Sequence, residues 1–375
     1  MAIAAAETPT HRRSLKEANK MVLWLGNEDI KKIFDMNECL SVVEKTYREQ
    51  GEGQIVNREP PRTHIYLPTS KPDVKYVFKS TDGGLPRLGT QVIRITSDTL
   101  GYKMVQGERR RFKFPSLPGD KYFGLYLLFR SEDGMPLAMM HDGHINHLGV
   151  GARVGMGIKY LAQRNADTIG LFGAGWYGIT VLDATRRVRP IRKIKVYSPT
   201  PENRKRFAEE ASKILEIETV AANSPEETVR GSSIVITMTN AAGAVFNGKW
   251  LEEGACVVTA AGGDHLESRE ELDEETLRRA ELKSVATRAF AVFIKAYKDS
   301  VAKGILDWDK VPELGEIIVG KKPGRTNERQ CAVFFQNLPG GAQHCGMATR
   351  VYELAKQSGL GKELPDELFL QDVRP

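Results

Sequence analysis

The segment Asp167-Thr-Ile-Gly-Leu-Phe-Gly-Ala-Gly-Trp-Tyr-Gly178 constrains this chain more than any other. An apolar run ends at Phe172, the pattern Gly173-x-Gly175-x-x-Gly178 follows, and Ile179 to Val188 has the spacing of an amphipathic helix. Strand, glycine turn and helix in that order make a dinucleotide-binding turn. The first glycine permits the tight turn, the second lets backbone approach a pyrophosphate, and the third lets helix pack close to strand. The exposed N–H groups and dipole at the helix start favour phosphate charge. Gly173, Ala174, Gly175, Trp176, Tyr177 and Gly178 are therefore expected to contact NAD or NADP.

Alternation of strand and helix continues beyond the turn. Lys193–Tyr197, Ile234–Met238 and Cys256–Ala260 read as strands and Pro201–Leu215 as a helix, which predicts a doubly wound parallel sheet of Rossmann type. Upstream the pattern differs. Residues 29 to 50 read as one or two helices interrupted near Asn37. Short strand-like runs follow at Thr63–Leu67, Tyr76–Lys79, Gln91–Thr96 and Phe123–Phe129, separated by turn signals that include Asp82-Gly83-Gly84. This part is expected to be an α+β domain on an antiparallel sheet, so the fold class is α/β with a Rossmann domain and an α+β substrate and dimerisation domain. A helix from about His147 to Arg164 leads into the nucleotide domain, expected over 151–329. The first domain is expected over 21–150, with the chain returning to it over 330–375, including a last helix at Ala348–Gln357. Residues 1–20 read as a disordered leader.

Composition excludes several classes. A chain of 375 residues, 41% hydrophobic and 27% charged, is that of a soluble globular protein with room for two cores. No apolar run approaches the roughly 18 residues of a membrane span. The four cysteines are scattered without CxxC spacing, which fits a reducing cytoplasm and neither a disulfide framework nor a zinc site. The net charge of +6 is modest. The one dense basic run, Arg109-Arg110-Arg111-Phe112-Lys113-Phe114, reads as a solvated loop or one drawn to a phosphorylated cofactor, since no nucleic-acid motif accompanies it.

The end of the second strand of the nucleotide domain bears on the choice of cofactor. An acidic residue about 20 positions past the glycines binds the ribose 2′-hydroxyl and repels a 2′-phosphate. Ser198 stands there, in Val196-Tyr-Ser-Pro-Thr200, with Arg204 and Lys205 close behind. Hydroxyls at Ser198 and Thr200 with the Arg204 cation suit a 2′-phosphate, so NADP is expected ahead of NAD. Glu202 offers the opposite reading, as an acid for the ribose.

Several segments together resemble the ornithine cyclodeaminase/mu-crystallin family. They are Phe78-Lys79-Ser80 with Asp82-Gly83-Gly84, the Gly173 turn, Thr237-Met-Thr-Asn240, Ala261-Gly-Gly-Asp264, Glu313-Leu-Gly-Glu316 and the tail Arg350 to Gly361. In order and spacing they cover the chain from about residue 21 to the C-terminus. The resemblance implies a homodimer whose first domain supplies substrate groups and whose Rossmann domain holds nicotinamide. It also implies hydride transfer at a carbon bearing nitrogen: imine or ketimine reduction, or amino-acid oxidation. Ornithine-type cyclodeamination with loss of ammonia, or crystallin-like binding of cofactor without turnover, is the alternative. Asp264 matches the acidic residue near the reacting carbon. It also follows Gly262-Gly263 at the C-terminal end of a strand, where open α/β sheets place their chemistry, although Glu267 three residues on would equally suit a capping box. Lys79 matches a lysine of the substrate site and Arg62 a carboxylate-binding arginine, while Thr237, Thr239 and Asn240 resemble a loop over the nicotinamide ribose.

The sequence departs from the family pattern at Gly149, where relatives carry a carboxylate-binding arginine. Arg153 lies one helical turn on and on a similar face. His141, His144 and His147 crowd the same segment. A pocket lined by imidazoles, with His144 contacting substrate, is expected ahead of a metal site. His344 and Cys345 are a second departure, and the two together point to an altered substrate.

Overall fold

The computed structural model describes residues 21–105, 108–241, 243–260, 270–291, 295–307, 309–336 and 340–373. The first part of the chain contains β1 (Met21–Leu25), α1 (Asn27–Ile33), α2 (Met36–Glu52), β2 (Val56–Asn57), β3 (Thr63–Pro68), β4 (Val74–Leu85), β5 (Thr90–Val105), β6 (Glu108–Phe114), β7 (Phe123–Arg130) and β8 (Pro136–His141). Helix α3 (Gly143–Leu161) leads out of it. The second part holds β9 (Thr168–Phe172), α4 (Gly178–Val188), β10 (Lys193–Tyr197), α5 (Pro201–Leu215), β11 (Glu218–Ala221), α6 (Pro225–Val229), β12 (Ile234–Thr237), β13 (Cys256–Thr259), α7 (Glu274–Arg279) and β14 (Leu282–Val285). Then come α8 (Arg288–Ala291), α9 (Lys295–Ala302), α10 (Leu314–Ile318), β15 (Ala332–Phe335), α11 (Gly341–Ser358) and β16 (Lys362–Pro365).

These strands form two sheets. A mixed, largely antiparallel sheet runs β16-β1-β8-β7-β5-β4-β2, with β3 also on β4 and β6 also on β5. A parallel seven-stranded sheet runs β11-β10-β9-β12-β13-β15-β14. Its strand order reverses beside β9, the switch point at which doubly wound sheets bind ligands. Continuous apolar runs such as Ile234-Val-Ile and Cys256-Val-Val are buried on both faces, as a sheet covered by helices requires.

Two expectations are corrected. Asp82-Gly83-Gly84 is not a turn: it lies within β4, paired with Gln91–Ile93 of β5, and the hairpin reverses at Pro86–Gly89. Its glycines answer to packing. A Cβ at Gly83 would stand 2.4 Å from the backbone nitrogen of Ala342, because the start of α11 lies directly on β4. Nor does the chain leave the nucleotide sheet at 330, since β15 sits between β13 and β14 and the return begins after Phe335.

Helix α3 joins the two halves. A Cβ at Gly151 would fall 2.4 Å from the Thr180 carbonyl oxygen of α4, and one at Gly155 would touch Ala184 of α4 and Leu40 of α2. The helix is thus wedged between an element of each half. One apolar core runs through both, from Leu25, Phe34 and Tyr126 to Ile169, Val196 and Phe334.

Candidate active site

A cavity of 1180 Å³ lies between the C-terminal ends of the parallel strands and the faces of β4, β5 and β6. Its nucleotide wall is the glycine turn. Gly173 has φ +112°, and a Cβ there would lie 2.3 Å from the Met238 carbonyl oxygen. Gly175 has open space where a side chain would be, so its backbone is bare toward a ligand. At Gly178 a Cβ would stand 2.5 Å from the Phe207 ring, which accounts for the close approach of α4 and α5. A bare glycine backbone at the start of an eleven-residue helix fits a pyrophosphate.

The sequence-predicted nucleotide contacts divide into two groups. Gly173, Ala174, Gly175, Tyr177, Ser198, Thr200, Thr239 and Asn240 line the cavity. Trp176, Gly178, Arg204 and Thr237 stand outside its lining. Trp176 is exposed and stacks on His147 at 3.8 Å between ring centroids. The Arg204 guanidinium lies over the Tyr197 ring and donates to the Ser198 carbonyl at 2.9 Å, directly behind the ribose-side loop. Thr237 is buried and donates to Glu271.

Glu271 was invisible to sequence reasoning. Its carboxylate, 1% exposed, accepts from the hydroxyls of Thr237, Thr239 and Thr259 and from the Thr239 N–H. The strand-end Thr237 and Thr259 and the loop residue Thr239 are thereby tied to one anion, which fixes the loop that begins at Met238. Only the tertiary fold brings these residues together, so no local pattern could have announced them.

The opposite wall is cationic. Lys79 pairs with Thr96 across β4 and β5, which sets its ammonium 2.5 Å from Asp98 Oδ2. Lys113 of β6 approaches the other oxygen at 2.6 Å. Burial pushes the Lys79 ammonium down to about 8, against the pull of Asp98. Burial also opposes ionisation of Asp98, but Lys79 and Lys113 hold its carboxyl below the usual range. Arg62 donates to the Thr81 hydroxyl at 3.1 Å and lines the cavity with Arg94, which is paired with Asp142 at 2.6 Å.

Arg153 borders the same cavity at 1% exposure, and its Nε and Nη1 have no hydrogen-bond partner among the described residues. A buried guanidinium without an anion is costly. Gly149 makes the room for it: a Cβ there would sit 3.1 Å from Arg153 Nη1 and 2.8 Å from Met347 Sδ. The guanidinium therefore occupies the space that a side chain at Gly149 would fill.

The histidines do not assemble as expected. His144 is turned away from the cavity, with Nε2 2.9 Å from the Phe34 carbonyl oxygen. His147 holds the Trp176 carbonyl, and His141 accepts from the Asn27 N–H. Each imidazole serves a separate backbone contact, because α3 begins at Gly143 and its first turn packs on α1. His344 is fully buried at hydrogen-bonding distance from the Tyr126 hydroxyl, 2.7 Å. Burial and the neighbouring Arg94, Arg153 and Arg62 push its imidazolium well below the usual range, so it is neutral. Asp264 lies outside the described residues.

A parallel sheet with a glycine turn at its switch point, facing cationic side chains across one cavity, defines a dinucleotide-binding protein of Rossmann type. More particularly, the chain belongs to the ornithine cyclodeaminase/mu-crystallin family, whose model matches residues 20–359. It is 26% identical to an alanine dehydrogenase of Archaeoglobus fulgidus over 91% of this chain and 98% of that protein. The structure of Thermococcus litoralis Δ1-pyrroline-2-carboxylate reductase in complex with NADH and L-proline superposes with a TM-score of 0.77. It is 27% identical and covers 92% of this chain and 100% of that one. An archaeal alanine dehydrogenase dimer with bound NAD gives a TM-score of 0.75 at 25% identity, covering 92% and 99%. Among the described residues no helix is long and apolar enough to cross a membrane.

Proposed function

We propose that this protein is a nicotinamide-dependent oxidoreductase that moves a hydride to or from the carbon of a C=N bond in a small carboxylate, as an imine or ketimine reductase or an amino-acid dehydrogenase. The observation that carries this reading is the pairing of a bare glycine turn with Lys79, Arg62 and Arg153 across one cavity. The Thermococcus litoralis enzyme, which reduces an imine bearing a carboxylate, supports it.

Gly173 to Gly178 would hold the pyrophosphate of a dinucleotide, whose nicotinamide supplies the hydride when bound. The substrate carboxylate would be held by Arg62 and Arg153, whose planar donors match its two oxygens. Lys79, depressed to about 8 yet tethered to Asp98, can hold or release a proton near neutral pH at the substrate nitrogen. Asp264 is assigned the second proton-handling role from its place after β13. Thr239 and Asn240 would line the nicotinamide ribose. For the cofactor we favour NADP, since Ser198 and Thr200 offer hydroxyls and Arg204 a cation where an acid would select NAD. The archaeal relative with bound NAD is a dimer, and the exposed Ile65 and Leu67 of β3 suit association of two such sheets, so a homodimer is proposed as well.

The test follows nicotinamide absorbance with cyclic ketimines and with keto acid plus amine mixtures. Oxidation of NADPH in preference to NADH, abolished in Asp264→Asn and in Lys79→Met with cofactor affinity kept, is the expected result. Tight cofactor binding with no oxidation across the panel would overturn the reductase reading in favour of cyclodeamination or a binding role.

A further inference from the structure

Of the basic run Arg109–Phe114, Lys113 joins the Asp98 cluster, while Arg110 and Arg111 lie farther along the same strand. The run forms β6, which pairs with the outer half of β5 from Thr99↔Phe114 to Val105↔Glu108, beyond the stretch of β5 that β7 covers. The hairpin therefore projects past the body of the first sheet. It projects toward the nucleotide domain: Arg110 Nη1 donates to the Asn240 side-chain oxygen at 3.2 Å, and the Asn240 amide donates back to the Arg111 carbonyl at 3.4 Å. Asn240 follows β12, whose last residue Thr237 is paired with Phe172, the residue before the glycine turn. The Met238 carbonyl lies against Gly173 itself. The hairpin is thus bonded to a loop that touches the turn on which a pyrophosphate would rest, and Arg110 and Arg111 line the same cavity as Gly173 to Gly175 and Ser198 to Thr200.

We propose that the β5–β6 hairpin is the second half of the cofactor site: Arg110 and Arg111 grip the dinucleotide phosphates from the first domain, opposite the glycine turn, and strap the cofactor into the cleft. The proposal rests on the dinucleotide reading. Charge supports it. In the cluster deeper in the same wall, Asp98 already engages Lys79 and Lys113, so that carboxylate is committed there. The glycine turn contributes N–H dipoles but no full positive charge, while a pyrophosphate carries two negative charges that guanidinium forks match in geometry. A merely solvated loop would stand clear of the cavity, whereas Arg110 and Arg111 are both half-buried in its wall.

The test is direct binding of ADP-ribose to the full-length protein by calorimetry, which needs no turnover. Replacing Arg110→Gln together with Arg111→Gln should weaken ADP-ribose about tenfold or more at low salt, because two charge-assisted phosphate bonds are lost. The deficit should narrow as salt is raised. Arg329→Gln removes the same kind of charge from an exposed pair with Glu253 and should leave binding unchanged. Arg110→Lys with Arg111→Lys should hold affinity within roughly threefold, the charge being kept and only the fork lost. If the glutamine pair melts early, Arg111→Gln alone carries the comparison. A folded double variant that binds ADP-ribose like wild type would overturn the proposal and leave the dinucleotide reading intact. Wild-type protein that binds neither ADP-ribose nor NADPH would overturn both.

Discussion

At the scale of single residues, two side chains dominate the site because neither is in balance on its own. Arg153 is buried beside Gly149 with Nε and Nη1 unpaired among the described residues, so its substitution should separate stability from function. Arg153→Met keeps the volume and removes the charge, and exchanging a buried charge for an apolar group is often neutral or stabilising. The melting temperature should therefore hold or rise. KM for a carboxylate substrate should rise roughly 10- to 100-fold, from a charge-assisted contact of about 1.5–3 kcal/mol. Lys79 is balanced by Asp98, whose pull works against burial and leaves the ammonium at about 8. If the protonated ammonium is the working form, kcat/KM falls as pH passes that value. Asp98→Asn withdraws the stabilising anion, so the alkaline limb should move to lower pH, read from a kcat/KM profile; an unmoved limb would remove Lys79 from the proton path. At this scale the sequence was only partly legible. Lys79 and Arg62 stood out only through the family resemblance, and Arg153 only as a cation one helical turn from Gly149. Asp98 was not, because its meaning comes from Lys113 across a strand pair. His144 misled because spacing cannot tell which way a first helical turn faces.

At the scale of elements, the strand-end loops on the nucleotide side depend on Glu271. Glu271→Gln exchanges a carboxylate that accepts four hydrogen bonds for an amide with one acceptor oxygen. A loss of about 1–3 kcal/mol in unfolding free energy is expected, with weaker dinucleotide binding as the Thr239 loop loosens. Denaturant unfolding and cofactor titration of one variant check both. The start of α11 gives a sharper case. A Cβ at Gly341 would stand 1.9 Å from the Asp82 backbone, so Gly341→Ala should cost at the upper end of the roughly 1–3 kcal/mol of overpacking. Most elements could be read from periodicity, and the helix at Pro201–Leu215 matches its expected bounds because proline opens it. The β4 glycines were read as a turn because a glycine required by a neighbouring helix looks the same in sequence as one required by a bend. The β6 strand looked like a loop because charge hides a pairing that only β5 reveals.

At the scale of the whole molecule, the two halves share helix α3 and one apolar core. Heat should therefore unfold them in a single calorimetric transition, and two resolved transitions would show that they are separable. The wedging of α3 by Gly151 and Gly155 also bears on ancestry. A nucleotide domain joined by a linker can be exchanged among proteins like a cassette, and its acquisition of new chemistry is then a matter of recombination. Here an excised nucleotide half would leave Leu40 and the glycine face of α3 without their counterparts. In such a scaffold a new substrate is instead reached by point changes along the cleft, where a single added Cβ at Gly149 would already press on the Arg153 guanidinium.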